Sequence, residues 1–192
     1  MPRFAATVLA AAVVTLLVGC TAAPKVPETS APLPTSTMVL PTAYGGCGAT
    51  QVTAGTSPPP TWALEGFNGS PAPAPGPRWA ASAPSTVVAI LFAVELVAKG
   101  IRPDGSSNKI LWVTRDPTDH LTIVAHPLNA NSPRVANDYP TTGGNQTPSI
   151  VDLPSPGCWS FQLKWGGVQT TRALLDLWVL PAGSVPSRTV SG

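Results

Sequence analysis

From Trp159 to Gly167 the chain reads Trp-Ser-Phe-Gln-Leu-Lys-Trp-Gly-Gly, and this alternation constrains the fold more than any other stretch. Trp159, Phe161, Leu163 and Trp165 share one parity; Ser160, Gln162 and Lys164 share the other. Successive side chains of a strand point to opposite faces, so the large apolar set goes inward and the polar set faces water. Pro154-Ser155-Pro156-Gly157 turns the chain before this strand, and Gly166-Gly167 ends it.

Apolar runs alternate with turn signals from Trp62 onward, the pattern of an all-β domain. Further strands are expected at 62–67, 86–98, 109–115, 121–126, 149–153 and 171–180. Residues 70–84 and 127–148 read as Pro-rich loops, the second with a short edge strand near Arg134-Val135. The run 86–98 is apolar on both parities, which fits a central strand covered on both faces. Ser85 and Gly100 would also cap a helix there; Val87, Val88, Val94 and Val97 tip the reading toward a strand. Arg102-Pro103-Asp104-Gly105 reads as a turn. The strands at 109–115 and 121–126, five residues apart, read as a hairpin. About seven strands in about 120 residues fit a two-sheet antiparallel sandwich.

At the N-terminus, Arg3 precedes an apolar run from Phe4 to Val18, and the run ends in Leu17-Val18-Gly19-Cys20. This is the layout of a secretory signal peptide, and its ending resembles the bacterial lipobox. The resemblance implies a lipoprotein signal peptide over 1–19, acylation of Cys20 as the mature first residue, and a place on the extracytoplasmic face of the cell membrane. The run is about fifteen residues, short of the roughly 20 that a span requires. Stable anchoring takes at least two acyl chains, which a diacylated or triacylated Cys20 supplies. Residues 20–60 then form a Pro/Thr/Ser-rich tether, reaching roughly 35 Å as a coil and about 120 Å if fully polyproline-like. The sandwich occupies 61–182, and 183–192 is a flexible tail.

Charged residues make up only 10% of the chain and the formal net charge is +2, which leaves no basic stripe and argues against nucleic acid as a partner. With Cys20 acylated, Cys47 and Cys158 remain, an even pair in an oxidising compartment and so a disulfide. Two free thiols are the alternative; two cysteines and two distant histidines do not make a tetrahedral metal set. Cys158 has the polar parity, so its bridge would not cross the interior as the immunoglobulin disulfide does. It would strap the arriving tether to the sheet and close a loop of about 110 residues, for which chain entropy gives roughly 4 to 5 kcal/mol.

No constellation of reactive residues emerges. His120 and His126 would lie about 20 Å apart along an extended strand, too far for one zinc. Asp104, Ser106 and Asn108 mimic the start of a calcium loop, but Lys109 and Arg115 stand where glycine and glutamate belong; turn chemistry is the better account. There is no Gly-x-Ser-x-Gly elbow, the acids are scattered, and Gly143-Gly144-Asn145 lacks the strand and helix of a phosphate cradle. The expectation is a non-enzymatic domain with no cofactor and no metal; an extracytoplasmic enzyme and an accessory subunit of a membrane complex are the alternatives. Trp62 and Trp79 flank the Pro-rich loop. Edge packing explains them most simply; if exposed, they would suit an envelope glycan, peptide or protein ligand.

The segments Asn108-Lys109-Ile110-Leu111-Trp112-Val113 and Ser149-Ile150-Val151-Asp152-Leu153-Pro154-Ser155-Pro156-Gly157-Cys158-Trp159 resemble an actinobacterial, mycobacterial-type group of secreted or lipid-anchored proteins. The resemblance spans about 87–180. It implies an immunoglobulin-like sandwich on an envelope lipoprotein and no catalytic residues.

Overall fold

The alternating segment is strand β9 (Gly157–Trp165), whose Trp159, Phe161, Leu163 and Trp165 are all buried. The structure, a computed structural model, describes residues 45–55, 57–65, 76–93, 95–167 and 170–184. The signal segment, Cys20, most of the tether and the tail from 185 lie outside the described residues.

Strand β9 pairs with β10 (Thr171–Leu180) on one side and β6 (His120–Pro127) on the other. Adding β4 (Leu96–Val97) and β7 (Val135–Pro140) gives a sheet of order β4-β10-β9-β6-β7. The facing sheet has β1 (Val52–Gly55), β2 (Gly76–Ala81), β3 (Val87–Leu91), β5 (Lys109–Thr114) and β8 (Gln146–Ile150), in the order β1-β2-β3-β5-β8. Every neighbouring pair is antiparallel except β4 and β10. The immunoglobulin-like division is visible in this order. A first strand splits between the sheets as β3 and β4, β5 and β8 take the B and E places, and β6, β9 and β10 form the C-F-G set. The described strands number ten, not about seven, because β1 and β2 extend one sheet and the first strand is broken in two.

The sheets meet over one core. Trp112 of β5 and Phe161 of β9 lie with ring centroids 5.7 Å apart, tilted by 42°. They join the two strands that the immunoglobulin cystine joins, so an aromatic contact stands where a cross-sheet bond would. The indole N–H of Trp112 donates to Ser149 Oγ at 2.8 Å, which satisfies its one buried donor.

Four local expectations are corrected. The first residues of the run 62–67 form a one-turn helix, α1 (Thr61–Leu64), instead of a strand. The Ala63 N–H bonds Pro60 O, and Ala63 is buried on the outer face of the sheet, so the turn covers a sheet and does not join one. Strand β2 lies inside the stretch 70–84 expected as loop. Strands β5 and β6 are no hairpin: β5 pairs with β3 and β8, and β6 with β7 and β9, so residues 115–119 cross between sheets. The strand expected at 149–153 begins at Gln146 and ends at Ile150.

Within the run 86–98, residues 87–91 and 96–97 are strand, and β3 is buried on both faces at the centre of its sheet. It breaks after Leu91 and resumes as β4 in the opposite sheet. Asn108, fully buried, secures that switch. Its Oδ1 accepts from Val97 N–H at 3.0 Å and from Arg102 Nη2 at 3.2 Å, and its Nδ2 donates to Val97 O at 2.7 Å and Val151 O at 3.3 Å.

Candidate functional site

Strand directions sort the connections into two ends. At one end lie the β2–β3 turn at 82–86, the β5–β6 link at 115–119, the β7–β8 link at 141–145 and the β9–β10 connection that starts at Gly166. At the other lie the start of β9, with Cys158, and the ends of β3, β6, β8 and β10.

Cys47 and Cys158 are joined as a disulfide, with Cα atoms 5.9 Å apart. Cys158 stands opposite Trp178, whose neighbours Leu175, Leu177 and Val179 fill the core, so the bridge lies outside the sandwich as its parity requires. The strap around Cys47 continues the edge of β10 beyond the reach of β4. Gly46 bridges Leu177, Cys47 N–H donates to Asp176 O at 3.3 Å, and Asp176 N–H donates to Thr50 Oγ1 at 2.7 Å. A Cβ on Gly48, whose φ is +57°, would lie 2.5 Å from an Asp176 carboxylate oxygen, so this close approach requires glycine. A cavity of about 270 Å³ lies beside the bridge, between Pro127–Ala130, Pro156 and Trp178.

The opposite end carries a cleft of about 250 Å³. Pro117, Thr118, Asp119 and His120 supply one wall, Gly143 a second, and Gly166 and Gly167 the third. Two of these connections, β5–β6 and β9–β10, take the places of the B–C and F–G binding loops of immunoglobulin variable domains; the third, β7–β8, crosses to the facing sheet. Buried Thr118 ties them together. Its N–H donates to Gly144 O at 2.9 Å, and its hydroxyl donates to His120 O at 2.7 Å. The same oxygen accepts from His120 N–H at 3.1 Å and Gly166 N–H at 3.3 Å, and Thr118 O accepts from the Thr141 hydroxyl. Gly143 has φ +78°, a left-handed backbone that favours glycine, beside Asp119 Oδ1. His120 Nε2 lies 3.4 Å from Asp138 Oδ1, both side chains more than half exposed, which makes this a weak pair. The cleft therefore offers carboxylate acceptors, an imidazole and glycine backbone on a hydrogen-bonded frame. Composition and motif reading missed it. Its signal, three short Gly/Asp/Pro turns, becomes a site only when strand order brings them to one end.

Trp62 and Trp79 are half-buried and pack against the outer face of the β1-β2-β3-β5-β8 sheet, over Val88, Ile90, Leu111 and Val113. The Trp79 indole N–H donates to Ser57 O at 3.0 Å. The Arg115 guanidinium lies 5.8 Å from the Trp62 ring, and Gln146 Nε2 donates to Glu65 O at 2.9 Å. Arg115 and Gln146 flank the cleft-forming links, so Trp62 sits toward the cleft end and Trp79 toward mid-sheet.

His126 lies at the far end of β6 from His120. Its Nδ1 is 2.9 Å from Pro127 O and its Nε2 is 2.9 Å from the Gln162 amide nitrogen, which suits the tautomer with Nδ1 protonated. By register, Asp176, Ser160 and His126 form a row across β10, β9 and β6. The order places serine in the middle, and both imidazole nitrogens are engaged elsewhere, so the row lacks the serine-histidine contact that nucleophilic catalysis needs. Among the described residues no three His, Cys, Asp or Glu side chains are grouped to hold a metal ion, and no helix is long and apolar enough to cross a membrane. Asp104 accepts from Ser106 N–H at 3.0 Å and from its hydroxyl at 2.7 Å, turn bonds that hold the carboxyl below its ordinary pKa. Asn108 is turned inward, away from that pair.

No protein-family model matches the chain, and no curated protein sequence matches it. Among solved structures it is similar to the crystal structure of a candidate lipoprotein from Bacillus anthracis, with 16% identity over 64% of this chain and 98% of that chain and a TM-score of 0.35.

Proposed function

We propose that the protein is a lipid-anchored envelope lipoprotein whose sandwich is a non-catalytic binding domain on the extracytoplasmic face of the membrane. The anchor is Cys20, at the end of the lipobox-like signal. The binding element is the three-loop cleft at Thr118–His120, Gly143 and Gly166-Gly167. Its ligand is a hydroxyl- or amide-bearing envelope glycan, peptide or protein surface, with Trp62 on the outer sheet face toward the same end. What carries this reading is the polarity of the molecule: the chain enters along the disulfide strap at one end of the sandwich, and the cleft opens at the other. A tethered domain so built presents its cleft away from its attachment. The likeness of 87–180 to actinobacterial envelope proteins supports the same assignment.

Metabolic labelling with an alkyne fatty acid tests the anchor. Wild type carries the label and sediments with membranes; Cys20→Ala carries none and appears in the medium. Crosslinking in the native envelope, followed by mass spectrometry, tests the cleft. Captured material should map to 117–120, 143 and 166–167; crosslinks spread evenly over the domain would count against a binding cleft there.

A further inference from the structure

Five large apolar side chains are exposed among the described residues, and three of them gather at the strapped end: Phe92 at 52%, Ile101 at 56% and Ile150 at 56%. Phe92 follows β3 and its N–H bonds Lys109 O; Lys109 in turn faces Ile150 across β5 and β8. The three therefore form one row on the outer face, and Lys109 Nζ lies 5.1 Å from the Phe92 ring. Ile101 lies at the same end, in the connection after β4, where its O accepts from Gly183 N–H at 2.9 Å. Its neighbour Gly100 lies against the Asp152 carboxylate, two residues beyond Ile150, and Lys99 N–H bonds Leu153 O. Exposed Lys99 and Lys109 accompany these side chains, with Glu95, Asp104 and Asp152 as the nearby acids.

The described chain begins beside this patch. Gly45 has φ +95°, and a Cβ there would lie 3.3 Å from Glu95 Cγ, so the entering backbone passes within a few residues of Phe92. Residues 21–44 separate that point from Cys20, and a coil of this length spans roughly 27 Å. If Cys20 is acylated as proposed above, a chain of that length lets the apolar end reach the bilayer.

We propose that Phe92, Ile101 and Ile150 are a lipid-contacting foot. The three side chains enter the headgroup boundary, while Lys99 and Lys109 lay their stems along the apolar surface and place their ammonium groups at lipid phosphates. The foot rests on the anchoring reading for its proximity to lipid but not for its chemistry. It holds the strapped end of the sandwich at the membrane, a position that a flexible tether alone leaves free.

The test uses full-length acylated protein in vesicles of equal parts phosphatidylethanolamine and phosphatidylglycerol, with an environment-sensitive fluorophore on Phe92→Cys, Ile150→Cys or Leu174→Cys. Leu174 is 48% exposed but lies on the other sheet, which makes it the control. Labels at 92 and 150 should emit to the blue and be quenched by nitroxide-bearing acyl chains, and the label at 174 should do neither. In unacylated Cys20→Ala protein, replacing Phe92, Ile101 and Ile150 by serine should lower partitioning into the same vesicles about tenfold. Water-like emission at 92 and 150 on protein proven by mass to be acylated overturns the foot and leaves the anchor standing. A chain without acyl groups sinks the anchor, and the partitioning arm then decides the foot alone. Burial of the labels in whole envelopes but not in vesicles also overturns it, in favour of a protein partner.

Discussion

Thr118 shows how one hydroxyl can organise a site. Its oxygen serves as donor to His120 O and acceptor for two backbone N–H groups, in a buried position where an unmade bond is costly. Thr118→Val preserves the shape and removes all three bonds. It should cost about 1–3 kcal/mol in urea unfolding, and amide exchange at His120 and Gly166 should quicken ahead of the β-strands. Unchanged exchange there would mean that the connections hold themselves. Gly48 poses the opposite problem, since a side chain must be absent. Gly48→Ala combines a left-handed backbone with a 2.5 Å approach to the Asp176 carboxylate. A loss of about 1–3 kcal/mol is expected, read as a lower unfolding midpoint with β9 and β10 otherwise intact. Neither role is visible in the sequence, where Thr118 is one turn residue among several and Gly48 one of many glycines.

At the level of elements, legibility follows burial. Strands β9 and β10 and the interiors of β5 and β6 are readable because one or both faces are packed against the core, so parity or continuous apolarity records them. The run 62–67 misleads because Trp62 and Ala63 are apolar for a different reason: α1 is a lid on the outside of a sheet. Strand β2 hides in a Pro-rich stretch because much of its burial comes through small Ala80 and Ala81. Strand β8 tolerates Pro148 because it is an edge strand and a missing N–H costs no ladder bond on the open side. A five-residue link joins strands within a sheet or across a sandwich equally well, so the spacing of β5 and β6 could not decide their pairing. The disulfide, by contrast, is readable from the even pair Cys47 and Cys158, and its place outside the sandwich from the parity of Cys158. Replacing both Cys47 and Cys158 by serine should remove roughly 4 to 5 kcal/mol as an upper value, measured by chemical denaturation against the oxidised protein. Amide exchange at Asp176, whose N–H is held by Thr50, should rise first. Equal stability of the two forms would show that the strap is held by its backbone bonds alone.

The whole molecule has a direction. Strand order puts its three-loop cleft and its disulfide strap at opposite ends of β9, a nine-residue strand and so roughly 30 Å long. The sandwich class could be read from the sequence; the direction could not, because it depends on which connections share an end. If anchoring and recognition are separate functions of the two ends, they should come apart under substitution. Asp119→Asn with His120→Ala alters only cleft-lining groups that are exposed, so folding and membrane retention should stay as in wild type. Recovery of crosslinked ligand should fall about tenfold or more, the loss of one or two charge-assisted hydrogen bonds. Cys20→Ala should do the reverse, moving the protein to the medium while its purified domain still captures the same ligand from detergent-solubilised envelope. Capture kept by the cleft variant but lost in Cys20→Ala would tie binding to the membrane itself, and would place the ligand at the strapped end instead of the cleft.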